Sequence, residues 1–149
     1  MKKFLKFMPL LLAAVLGFAT WSCSDDDDKD KPLVVNMLPD QAKEFVAKYF
    51  PSAAIVAAKT DGKEYDVVLS DGTQIEFDSA GQWLDVDAPR GGYLPSGFYP
   101  EGIDEYISLN YNGFGINEIS KETGGYDVEL VNGVDLKFDA DGQFISLDR

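Results

Sequence analysis

Apolar positions along this chain fall into three regimes. Residues 7–19 form a near-continuous apolar run, and a polar, acidic stretch follows from 24 to 31. Beyond it the spacing becomes that of folded structure. Ala42, Phe45, Val46, Tyr49 and Phe50 recur at helical intervals, with Pro39 near the start and Pro51 as a stop. Four short strands are expected next, near 54–59, 64–69, 73–77 and 83–86. Ile103, Tyr106 and Ile107 carry a second, weaker helical stripe, which Gly102 and the Gly113/Gly115 pair are expected to shorten. Four more strands follow near 116–121, 126–130, 134–138 and 144–147. Asp71-Gly72 and Asn132-Gly133 sit between alternating runs, where such dipeptides favour tight hairpin turns.

The two halves match each other. Tyr65-Asp66-Val67 returns as Tyr126-Asp127-Val128, Phe77-Asp78 as Phe138-Asp139, and Gly81-Gln82 as Gly142-Gln143. About ten of roughly 23 aligned positions are identical, which reads as an internal duplication. The expected fold is α+β: two tandem repeats, each a helix packed on a four-stranded antiparallel meander. The first would occupy 38–88; a linker and the second would occupy 89–149. Alternation places Tyr65, Val67, Leu69, Ile75, Phe77, Leu84 and Val86 beneath the helix. The opposite, open face then carries Asp66, Val68, Gln74, Glu76, Trp83, Asp85 and Asp87. Its second copy carries Asp127, Glu129, Asp135, Lys137, Phe144 and Asp148.

The N-terminal run has its own chemistry. Lys2, Lys3 and Lys6 precede an apolar core too short to span a bilayer comfortably, so residues 1–22 read as a cleaved signal peptide. Cys23, the single cysteine, follows directly. It has no internal disulfide partner, and lipidation would account for it. The stretch resembles the relaxed lipoboxes of Bacteroidetes-type lipoproteins. Ser24, Asp25, Asp26, Asp27 and Asp28 look like the acidic export signal of such proteins. That resemblance implies an outer-membrane lipoprotein exposed at the cell surface, with a periplasmic-facing position as the alternative. Residues 23–37 would form a lipidated acidic tether, since like charges there repel and bury no apolar surface.

Charge and composition narrow the functions. The formal charge of −13 becomes −16 once the three leader lysines are removed. This disfavours nucleic acid and anionic lipid as partners, leaving the lipid anchor as the membrane contact. The chain has no histidine, and a lipidated Cys23 offers no thiol nucleophile. No catalytic residue, metal or cofactor is expected. Asp139-Ala140-Asp141-Gly142 resembles the start of a calcium loop, but its counterpart Asp78-Ser79-Ala80-Gly81 keeps only the turn glycine and first acid. Turn chemistry explains both copies, whereas metal binding explains one. Asp85 and Asp87 stand two apart on a strand, which suits a solvated acidic face better than a catalytic pair. Trp83 and Phe144 are candidate partner anchors on the open face, together with Asp66, Glu76, Asp85, Asp127 and Glu129. Tyr93, Phe98 and Tyr99 cluster near the junction and could plug it or serve as a sugar platform.

Leu38-Pro39, the helix ending near Pro51, Tyr65-Asp66-Val67, Asp71-Gly72-Thr73, Ile75-Glu76-Phe77-Asp78 and Gly81-Gln82-Trp83-Leu84 resemble the PepSY-like repeat. That family occurs in exported Bacteroidetes proteins, with a fold similar to the β-lactamase inhibitor protein. The resemblance implies tandem helix-plus-four-strand units forming a concave sheet. It implies no settled activity, only a tendency to bind or inhibit proteins. The expected function is therefore a non-catalytic, lipid-anchored, monomeric binding module whose acidic face takes a protein with a basic patch. An accessory glycan-binding lipoprotein is the alternative.

Overall fold

The computed structural model describes residues 31–148 apart from Val34. The leader, Cys23 and the acidic signal at 24–28 lie outside the described residues. Nine strands follow one another across a single antiparallel sheet in chain order. They are β1 (Lys31–Pro32), β2 (Ile55–Thr60), β3 (Glu64–Leu69), β4 (Gln74–Asp78), β5 (Trp83–Asp87), β6 (Ile116–Glu122), β7 (Gly125–Leu130), β8 (Asp135–Asp139) and β9 (Phe144–Asp148). Helix α1 (Asp40–Tyr49) precedes β2, and α2 (Glu101–Asn110) precedes β6.

This corrects the expected architecture. Strand β5 pairs with β6 through Asp85 with Ser120, Val86 with Ile119 and Asp87 with Glu118, so the sheet runs unbroken past the middle of the chain. The fold is one sheet with two helices, not two tandem units each with its own meander. Separate meanders would leave β5 and β6 as edges with unpaired backbone groups; joining them satisfies those groups. One core results. Val67, Ile75, Val86, Ile119, Val128 and Leu136 are register neighbours across six strands, and none is more than 2% exposed. The ring of Phe45 on α1 meets Phe77 edge-on, and Tyr106 on α2 meets Phe138 in the same way, so both helices cover this face.

Two further expectations change. The acidic tether was expected to reach residue 37, yet the sheet takes up the chain at Lys31, which pairs with Thr60. Helix α2 is not shortened and has the same ten-residue length as α1. Gly113 and Gly115 fall beyond its end. Gly102 lies inside it, where a Cβ would come within 2.9 Å of the Gly142 carbonyl oxygen. The glycine lets α2 settle on the β8–β9 turn, and close packing outweighs its low helix propensity.

Candidate binding face

The open face is defined by the side chains that alternate away from the core, and bulges decide its membership. In the β4–β5 ladder Glu76 pairs with Asp85 but Phe77 pairs with Trp83, so Leu84 is the extra residue. The β8–β9 ladder repeats this, with Lys137 opposite Ser146, Phe138 opposite Phe144, and Ile145 extra. A bulge of one residue switches the face of everything on its far side. Trp83 therefore joins Phe77 under the helices at 6% exposure, instead of standing on the open face. Its ring meets Phe98 edge-on and stacks on Tyr126, with the Lys121 ammonium 4.2 Å from its centroid. Burial lowers the Lys121 pKa from its ordinary value. Phe144 is half-buried and stacks on Tyr106 at 4.3 Å. Neither aromatic is available as an open-face anchor. Leu84, expected beneath the helix, is the half-buried bulge residue.

The acidic candidates, by contrast, come together. One row runs across the sheet as Lys59, Asp66, Glu76, Asp85, Ser120, Asp127, Lys137 and Ser146, each in register with the next. A second row beside it runs Gln74, Asp87, Glu118, Glu129, Asp135 and Asp148. Positive charge sits toward the flanks. Lys59 faces Asp66 in register, and the Lys137 ammonium lies 3.6 Å from Asp127 and 3.7 Å from Asp148. The middle is where protons are held. Burial, then the charges of Glu118, Glu76, Asp87 and Glu122, push the Asp85 carboxyl up to about 8. Burial, then a hydrogen bond with Glu64 and the charges of Glu64, Asp66 and Asp61, push Glu76 up to about 7. Asp87 is raised by burial. Opposed carboxyls on neighbouring strands repel when both are charged, so the face retains protons a solvated carboxyl would lose.

Glu118, between Asp87 and Glu129, was missed in the sequence reading. Asn117 is the extra residue in β6, and it breaks the alternation between the buried Ile116 and Ile119. That isoleucine spacing of three was the available signal, just as adjacent Trp83-Leu84 and Phe144-Ile145 pairs signalled the other bulges.

The remaining candidates are turn and core residues. The Asp78 carboxylate accepts hydrogen bonds from the Ala80 and Gln82 backbone N–H groups, and Asp139 accepts from Asp141 and Gln143 in the same pattern. Both loops are closed by their own backbone. Among the described residues, no group of three or more Asp, Glu, His or Cys is placed to hold a metal ion. Phe98 and Tyr99 are half-buried between the helices, and the Tyr99 hydroxyl donates to Asp104 at 2.8 Å. They form the plug at the junction, leaving Tyr93 exposed.

Comparison with known proteins bears on this geometry. A family model described as "Putative beta-lactamase-inhibitor-like, PepSY-like" matches residues 63–146. A "putative periplasmic protein of unknown function" from Bacteroides vulgatus is 35% identical, with a TM-score of 0.74 over 80% of this chain and 99% of that one. A "putative calcium-regulated periplasmic protein" from Bacteroides thetaiotaomicron is 31% identical, with a TM-score of 0.74 over 82% and 98%. A DUF2874-family periplasmic protein from Bacteroides vulgatus is 32% identical, again at 0.74, over 83% and 100%. No curated protein matches the chain.

Proposed function

Because the chain belongs to the beta-lactamase-inhibitor-like, PepSY-like family, we propose that it is a non-catalytic binding module of the cell envelope. The carrying observation is the open sheet face, where two registered rows rich in half-buried carboxyls lie on the side of the sheet opposite the helices. Such a field attracts and orients a protein surface rich in lysine and arginine, and it repels acidic competitors. An inhibitor-like role fits the family description, since a rigid sheet can cover a partner's surface without conformational change. Residues 1–22 act as the signal peptide, and Cys23 carries the lipid that holds the module at the outer membrane, facing the cell surface. Support for that anchor comes from the leader, the lone cysteine and the aspartates behind it.

Amide replacement of Asp87, Glu118, Glu129 and Asp135 tests the face. Capture from an envelope extract, with bound proteins identified by mass spectrometry, is expected to yield basic proteins whose recovery drops at least fivefold with the quadruple variant. Equal recovery by the two forms would refute the reading. For the anchor, metabolic labelling with an alkyne fatty acid is expected to mark the wild-type chain and not Cys23→Ala. Label that survives the substitution, or no label on the wild type, removes the lipoprotein assignment.

A further inference from the structure

The geometry points to an apolar lip at one end of the acidic face, formed by Tyr93 and Val131, that takes an apolar side chain flanked by lysine or arginine in a partner protein. This rests on the binding-face reading above and names what its partner must carry.

Tyr93 is 75% exposed and Val131 40%. Both lie at one backbone point, Gly115. The Tyr93 Cβ lies 2.6 Å from where a Gly115 Cβ would stand, and the Val131 N–H donates to the Gly115 carbonyl at 3.0 Å. An aromatic so exposed would ordinarily sample several rotamers on a loose loop. Here both flanks of Tyr93 are fixed to β6: Asn117 Nδ2 donates to the Gly92 carbonyl at 2.9 Å, and the Leu94 N–H donates to the Ile116 carbonyl at 2.7 Å. The backbone is thus pre-ordered while most of the ring remains in water. Pre-organised aromatics of this kind make strong anchors because little entropy is lost on docking.

Charge names the occupant. Glu118 and Glu129 are register partners three residues from Gly115 and two from Val131, so the lip opens directly onto the second acidic row. A basic segment with an apolar residue satisfies both surfaces, whereas a second copy of this acidic chain brings like charge to the same place. Topology also suits an arriving protein. Strands β2 and β6 run in the same direction; the chain enters beside Thr60 at the end of β2, and the lip lies at the start of β6. Entry and lip therefore occupy opposite ends of the sheet.

Fluorescein-labelled peptides read this on the full chain by anisotropy. The probes are Gly-Lys-Arg-Phe-Lys-Gly, the same peptide with Phe replaced by Gly, and the Phe peptide with its basic residues replaced by Glu. The Phe peptide is expected to bind about tenfold more tightly than its Gly counterpart, and Tyr93→Ser to abolish that difference while leaving the melting temperature unchanged. Equal binding of Phe and Gly peptides would overturn the lip alone. Failure of both basic peptides, or binding of the Glu peptide as well, would overturn the acidic-face reading and the lip with it. A concentration-dependent dimer lost in Tyr93→Ser would assign the patch to self-association and refute the proposal.

Discussion

Gly81→Ala is expected to destabilise the fold by about 3 kcal/mol, roughly 10 °C in melting temperature. The residue sits at φ +87°, and a Cβ there would stand 2.8 Å from Pro39 Cβ and 2.9 Å from the Ala42 backbone nitrogen. The first turn of α1 rests directly on the β4–β5 turn, so relief requires moving a helix rather than a flexible side chain. Gly62→Ala is the control. Its φ is +90°, but nothing lies within 4 Å of the added atom, so it carries only the left-handed penalty of about 1 kcal/mol. Urea unfolding of the two variants separates conformational strain from steric conflict. Equal losses would refute the docking argument for Gly81.

Asp85→Asn is expected to change the pH dependence of stability. The native carboxyl keeps its proton up to about 8, whereas in the unfolded chain it releases near its ordinary value of 3.8. Between those limits the folded state binds more protons, so wild-type stability falls as pH rises. Glu76 contributes with the same sign between 4.5 and about 7. An asparagine carries no charge to desolvate and presents none to Glu76, Asp87, Glu118 or Glu122. Over pH 5 to 9 the variant should show a flatter profile and exceed the wild type by about 1–2 kcal/mol at the alkaline end. This is well below full linkage at about 1.4 kcal/mol per pH unit, because Asp85 keeps some contact with water. Parallel profiles for the two proteins would rule out Asp85 as a proton-holding group. The acidity of the face thus costs stability at neutral pH, as expected where a surface is shaped for a partner.

The order and type of elements were legible because local signals agreed. Proline precedes each helix, apolar residues recur at three and four, and Asp-Gly and Asn-Gly mark hairpins between alternating runs. Asp66, Glu76, Asp127 and Glu129 were likewise legible as open-face residues, since no bulge separates them from the alternating apolar positions of their strands, and Asp85 because it keeps its alternation with Val86 and Asp87 on the far side of the bulge. Trp83 and Phe144 were misplaced for the converse reason. Period-two counting assumes one residue opposite one, and a single extra residue at Leu84 or Ile145 reverses the face of its neighbour. The length of α2 was misjudged because propensity assigns Gly102 a cost, while the Gly142 carbonyl makes the absence of a Cβ necessary.

By itself the sequence determined eight of the nine strands, the two helices and most of the acidic residues of the open face. These depend on residue type and spacing within a few positions along the chain. Only the tertiary structure decided that β5 pairs with β6 to make one sheet, that the aromatic pair belongs to the core, and that Tyr93 packs over Gly115. Each of those outcomes depends on which distant backbone groups find partners, and that is settled when edges close and bulges set the register.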